Sequence, residues 1–412
     1  MNKILIIILI ILTFDFVLER ILAALNKAKR KKPLPIELEG VYNEETYKKS
    51  ICYKNDCDRL GLITSSIAFI ISFSMFVFKG FAYVDNFSRH YFESPILLAL
   101  LFFGILILLS DIISTPLDLY STFVIEERYG FNKTTWKTYL TDKLKGYMLT
   151  VIIGGGLLAF FIWFYQKTGN YFWIYVWVVY SGFMIFMLMF YSNVIVPLFN
   201  KQRTLEEGEL RKAILAFSQK AGFQVKNVYV IDGSKRSTKA NAYFTGLGPK
   251  KRIVLFDTLI KQLSVNEIVA VLAHEIGHYK KKHTLIGLTN GIIQTGVTLF
   301  LLSLFLNKPA LKEALSVYKP AVHIGLITFG ILYSPISMIV GLVMNYFSRK
   351  NEYAADNYTG SFCLTDDLIN SLKKLSVNNL SDITPHPIYV IFHYSHPTLL
   401  QRIKALKNIV VD

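Results

Sequence analysis

The chain has 412 residues, 52% hydrophobic and only 18% charged, with a formal net charge of +16. Soluble domains carry nearer a quarter charged residues, and here the apolar residues stand in long blocks, so an ordinary soluble enzyme gives way to a polytopic membrane protein. The basic residues fall between the blocks, as the positive-inside bias predicts, which argues against nucleic acid as a partner.

Seven apolar segments lie at about residues 4–25, 62–83, 95–113, 147–164, 171–194, 285–306 and 321–346. Each has near the roughly twenty residues that cross a hydrocarbon core. The first can also be read as a signal peptide, but Asp15, Glu19 and Arg20 suit a retained helix whose charges face a protein-lined or aqueous interior. Basic residues follow the odd-numbered spans: KAKRKK at 27–32, then Arg128, Lys133, Lys137, Lys143 and Lys145, then the long segment 201–283. The loops after spans two and four carry only Arg89 and Lys167, although the loop after span six has Lys308, Lys312 and Lys319. This bias sets the N-terminus outside and places 201–283 and the C-terminal tail on one, cytosolic, face. Cys52, Cys57 and Cys363 form neither a disulfide framework nor a metal pair, and the first two are expected as reduced thiols in a cytosolic loop.

Within 201–283, residues 205–221 predict an amphipathic helix with Leu210, Ala213, Ile214 and Phe217 on one stripe. Residues 227–232 and 253–257 are strand candidates, with 241–246 a third, punctuated by Gly233, Gly246 and Gly248-Pro249. Residues 264–279 predict a helix opened by a Ser264–Glu267 capping box. On it stands His274-Glu275-Ile276-Gly277-His278, an HExxH motif. Residues four apart share a helical face, so both imidazoles reach one tetrahedral Zn²⁺, and Glu275 projects beside it to take a proton from water. The best third ligand is Glu352, just past the seventh span, although spacing alone leaves a solvated acidic face as an equal reading. Asp356, one turn on, can hold the free N–H of a zinc-bound imidazole. His396 either donates to a tetrahedral oxyanion or stands incidentally at a helix start with Pro397 in its first position, the reading the residues alone favour. His283, His386 and His393 read as incidental, His283 at the membrane surface beside Lys280–Lys282.

The blocks TFVIEERYGFNKTTWKTYLTDKLKG (122–146), PLFNK (197–201), GSKRSTKANAYFTGLG (233–248), KRIVLFDTLI, HEIGHYKKKHT, SRKNEYAADNY and YSHPTLLQRI run in order along most of the chain. In these the sequence resembles the type I CAAX prenyl proteases, integral-membrane zinc endopeptidases. The resemblance implies an all-α polytopic membrane fold: seven transmembrane helices enclosing an intramembrane chamber, with a small α+β zinc-protease portion on the cytosolic face. It makes Glu352 the third zinc ligand and His396 a transition-state stabiliser. Asn241 and Ala242 match the substrate-binding edge strand, and Arg402 an arginine near the site. The family's substrates are prenylated proteins that lose the last three residues of a Cys-aliphatic-aliphatic-X tail. STKA before Asn241 departs from a common Ser-His-Ser sequence, and YAAD replaces YQAD.

The expected organisation is helices one to five with their loops in 1–200, a cytosolic protease segment in 201–283, helices six and seven in 284–347, and a cytosolic tail in 348–412. The membrane is bacterial inner membrane or endoplasmic reticulum, and the partners are peptide or protein C-terminal tails and lipid. Two other functions compete: a quality-control zinc protease without prenyl specificity, and a seven-helix transporter or scaffold with a non-catalytic metal site. Glu275, and the want of an obvious fourth protein ligand, argue against the second.

Overall fold

A computed structural model describes residues 2–30, 34, 42–223, 228–246 and 252–408. Apolar runs become helices because a backbone in lipid must satisfy its own hydrogen bonds. Helices α1 (Lys3–Lys29), α2 (Glu44–Val77), α3 (Gly80–Tyr91) and α4 (Pro95–Tyr120) come first, and α4 runs on through a π-helical turn, Ser121–Glu126. Then follow α5 (Trp136–Leu149), a second π turn (Thr150–Gly155), α6 (Gly156–Thr168), α7 (Phe172–Val194) and the short α8 (Val196–Phe199). The protease segment contributes β1 (Gln202–Thr204), α9 (Glu209–Lys220), β2 (Val228–Ile231), β3 (Ala242–Thr245), β4 (Arg252–Phe256), α10 (Asp257–Gln262) and α11 (Val265–Lys280). The remainder is α12 (His283–Phe305), α13 (Pro309–Glu313), α14 (Val322–Gly360), α15 (Thr365–Asn378), α16 (Pro387–His393) and α17 (Leu399–Lys407).

Among the described residues, five continuous helical segments are long and apolar enough to cross a membrane: Glu44–Val77, Pro95–Glu126, Trp136–Phe199, His283–Phe305 and Val322–Gly360. The third has 64 residues, about 96 Å of helix if straight, and it turns at Gly169, whose φ of +53° only glycine adopts easily. The first apolar block, expected as a span, forms α1 but is not among the five. Its charged side chains find partners: Ser334 of α14 donates to Asp15 (2.9 Å), Glu19 lies 3.5 Å from His393, and Arg20 stacks over Phe16 of the same helix.

Other expectations shift at boundaries. The predicted span 62–83 is broken at Lys79, in the left-handed region, so it ends with α2 and a separate α3 follows. Cys52 and Cys57 stand in α2, not in a loop, because helix α2 extends well beyond the apolar block on its N-terminal side. The helix expected over 205–221 starts later, at Glu209. Lys31 and Lys32, the start of the strand at Asn227, and the Gly248-Pro249 turn lie outside the described residues.

The four strands form one sheet in the order β1-β2-β4-β3, with β2 and β4 parallel and the outer pairs antiparallel. Alternation assigns its faces. Val228, Val230, Ile253 and Leu255 pack with Ile214 and Phe217 of α9 and Ile268, Leu272 and Ile276 of α11. Ile231 and Val254 face the other way, onto Val196. β1 was missed because three residues, Gln202, Arg203 and Thr204, carry no apolar pattern; they pair through the backbone with Ile231, Val230 and Tyr229.

Candidate metal centre

Helix α11 starts as predicted. Ser264 Oγ accepts from Glu267 N–H and Glu267 Oε2 accepts from Ser264 N–H (2.8 Å), closing the capping box. Its buried side, Ile268, Leu272 and Ile276, is fixed in the sheet core, which turns His274 and His278 toward α14. Gly277 permits the close approach of these helices: a Cβ there would stand 3.1 Å from Ala355 Cα and 3.1 Å from Tyr358 Cβ. The single 39-residue helix α14 carries Glu352 from the membrane into this contact.

The three chosen residues converge. His274 Nε2 and His278 Nε2 are 3.2 Å apart, Glu352 Oε1 is 3.2 Å from His278 Nε2, and Glu352 Oε2 is 3.4 Å from His274 Nε2. A tetrahedral cation with nitrogen and oxygen ligands at 2.0–2.2 Å holds them roughly 3.3–3.6 Å apart. The donor spacing therefore fits a metal ion. A second observation agrees: Glu352 Oε2 is buried and makes no hydrogen bond, which leaves it acceptor capacity that a metal ion would fill.

The outer ring is equally specific. Asp356 Oδ1 lies 2.9 Å from His274 Nδ1, the nitrogen turned away from the cluster. Arg402 donates to Asp356 through Nε (2.9 Å) and Nη2 (2.6 Å), and its Nη1 stands 3.7 Å from Glu352 Oε2. One guanidinium thus compensates two buried carboxylates. His396 Nε2 lies 3.2 Å from Glu352 Oε1, with its ring largely exposed. It precedes a helix that begins at Leu399 with Thr398 and Gln401 as capping box, so the expected helix start at Pro397 is displaced by two residues. Burial pushes the Glu275 carboxyl above its usual range, against the opposing pull of His274 and His278.

The sequence reading misplaced His283. Its Nδ1 sits 3.0 Å from His278 Nδ1, so it is the outward partner of the second imidazole and not an incidental residue. Four residues separate the two histidines; the left-handed Lys282 that caps α12 folds the chain back between them. The signal was available as a third histidine spaced just beyond the motif. Asn241 and Ala242 stand at the start of β3, which pairs only with β4 among the described strands. The strand runs beside α11, with the Phe244 ring 5.4 Å from that of Tyr279.

Residues 24–201 match the family described as CAAX prenyl protease N-terminal, five membrane helices, and residues 204–410 match peptidase family M48. The CAAX prenyl protease 1 homolog of Arabidopsis thaliana is 36% identical, over 90% of each chain. CAAX prenyl protease 1 of Saccharomyces cerevisiae is 38% identical, over 77% of this chain and 74% of its own. The crystal structure of S. mikatae Ste24p superposes with a TM-score of 0.93 at 32% identity, covering 98% of this chain and 99% of that one.

Proposed function

Because the chain belongs to peptidase family M48, as a multi-pass membrane metalloendopeptidase, we propose that it is a zinc enzyme removing C-terminal residues from prenylated CAAX proteins. The carrying observation is the His274–His278–Glu352 cluster, at metal spacing and with Glu352 Oε2 making no hydrogen bond. Two imidazoles and a carboxylate form a zinc donor set that leaves one position open. Bound there, zinc supplies Lewis-acid polarisation of the scissile carbonyl.

The residues around it supply the rest. Glu275 accepts the proton of the attacking water and returns it to the leaving amine. His396, beside Glu352 and open to solvent, donates to the developing oxyanion. Asp356 fixes His274 with Nδ1–H outward, and Arg402 fixes Asp356. The peptide adds to β3 as a further strand. Phe256 N–H donates to the Asn241 carbonyl (3.1 Å), so by alternation Ala242 and Phe244 turn their backbone groups to the open edge. The Asn241 side chain accepts from Ala242 N–H (2.8 Å), leaving the Ala242 carbonyl and both groups of Phe244 for substrate.

We read seven crossings, with α1 as the first and the Trp136–Phe199 run as two, around an intramembrane chamber. Polar groups bonded to one another on α4 and α5 support that reading: Asp111 accepts from Tyr147 (2.5 Å) and Lys143 (3.0 Å), chemistry that belongs on an interior wall and not against lipid. The division into 1–200, 201–283, 284–347 and 348–412 follows, with the active site on the cytosolic face where the basic loops lie.

Mass spectrometry of a farnesylated CAAX peptide incubated with wild type and Glu275→Gln, beside an unprenylated twin, tests the proposal. Loss of three residues from the farnesylated peptide with wild type alone supports it. Equal cleavage of both peptides indicates quality-control specificity, and an intact farnesylated peptide with zinc-loaded wild type refutes the prenyl assignment.

A further inference from the structure

The segment leading into β3 is pinned from two sides. On the protease side, Thr258 Oγ1 donates to the Lys239 carbonyl (3.0 Å) and Gln262 Nε2 to the Thr238 carbonyl (2.9 Å). On the membrane side, Thr238 N–H donates to the Phe131 carbonyl (3.1 Å) and Lys133 N–H to the Arg236 carbonyl (3.0 Å). Arg236 also grips Asp142 through two bonds, of 2.7 and 2.9 Å.

The Lys239 side chain extends this second set to two membrane helices. Its Nζ stands 2.8 and 3.1 Å from the oxygens of Glu126 and 2.9 Å from Tyr53 Oη, and Tyr53 donates to the same carboxylate (2.5 Å). The ammonium also lies 4.4 Å from the centre of the Phe131 ring, within cation–π range. Tyr53 belongs to α2, and Glu126 ends the π-helical turn at the foot of α4. Such a turn inserts an extra residue and re-aims whatever follows it. Only two residues separate Lys239 from Ala242, where the peptide edge begins.

The Lys239 and Glu126 side chains are 34% and 24% exposed, and a pair this open to water contributes little to global stability. Its geometric consequence is larger, because a short strand paired on one side moves with its leader. We propose that Lys239 is a positioning residue: it holds the open edge of β3 in place against the ends of α2 and α4, and so sets the scissile bond relative to Glu275. The inference rests on the strand-addition reading above.

Two measurements on the zinc-loaded full chain test it. For Lys239→Met, kcat/KM on the farnesylated peptide should fall about tenfold or more, with kcat lowered as well as KM raised and zinc content unchanged. Lys239→Arg should recover most of that loss, and Glu126→Gln should add little to Lys239→Met, since both break one contact. In resting protein, hydrogen exchange of the amides in 242–246 should quicken in Lys239→Met while α11 keeps its protection. Unchanged kcat/KM together with unchanged exchange overturns the proposal. Loss of zinc, or exchange quickened across the whole sheet, also overturns it by making Lys239 a residue of the fold. If wild type leaves the peptide intact, the functional reading falls, and exchange alone then decides whether Lys239 holds β3.

Discussion

Among the described residues, two buried His–Asp pairs are each held by an arginine, and only one adjoins the proposed chemistry. At the metal centre, His274 Nδ1 meets Asp356 at 2.9 Å and Asp356 is held by Arg402. At the far end of α14, His323 Nε2 meets Asp85 at 2.7 Å, and Asp85 accepts from Arg89 at 2.8 Å. Both histidines and both aspartates are at least 94% buried. The difference is in the other side of each ring. His274 turns Nε2 toward His278 and Glu352, while His323 lies against Phe102, with centroids 4.5 Å apart. Residue types do not make a metal site; a second and third donor aimed at the same point do.

The sharpest break of that comparison is to remove each histidine. His274→Ala should abolish zinc retention and peptidase activity together. His323→Ala should keep one zinc per chain and instead destabilise the fold by about 1–3 kcal/mol, since Asp85 loses one of its two buried partners and keeps Arg89. Metal analysis and thermal melting of both variants decide this, and zinc lost from the His323 variant would refute the division. Next, Glu275→Gln should keep zinc but lose roughly 10²–10⁴ in kcat. Burial raises the Glu275 carboxyl, and the base works deprotonated. So kcat/KM should fall in acid as Glu275 takes up a proton, a limb absent from any residual activity of Glu275→Gln.

Smaller effects separate ligands from their supports. Asp356→Asn should weaken zinc binding about 10- to 100-fold, read by competition with a chelator, whereas Asp85→Asn should leave affinity unchanged. His283→Ala should fall near the lower end of that range, because it frees the His278 ring without removing a ligand. Wild-type affinity in His283→Ala would return His283 to a bystander.

How much of this was legible follows from where the information lies. HExxH is written within one helical turn, and its capping box, Ser264 to Glu267, is equally local, so both read directly. Glu352 needed the return of a membrane hairpin and stood level with a solvated face until α14 brought it to 3.2 Å from His278. The Asp85–His323 pair, 238 residues apart, has no local signature at all. His283 was lost for a different reason: three lysines before it suggested a membrane surface, and only the left-handed turn at Lys282 shows the ring folding back. The break in span two is likewise backbone geometry, at Lys79, hidden inside an apolar run. The helix that ends on Glu126 was visible as membrane only to residue 113, and its last turns, the π turn and with it the contact to Lys239 were not.

The smallest effect tests whether α11 can be weakened without touching the metal. Ser264→Ala removes one cap and should cost about 1 kcal/mol of stability, with zinc affinity unchanged. Glu267 gives the same test a pH axis. Burial opposes its charge, but the Lys374 ammonium (2.7 Å) and the Ser264 N–H outweigh it and hold its carboxyl below the usual range. A lowered folded-state value stabilises the protein above the ordinary carboxylate pKa, and that stabilisation fades as pH falls through the lowered one. The melting difference between wild type and Glu267→Gln should therefore be greatest near neutrality and shrink in acid. A difference that grew in acid would mean that Glu267 does not carry its charge in the folded cap, and α11 would then owe its start to Ser264 and the sheet core alone.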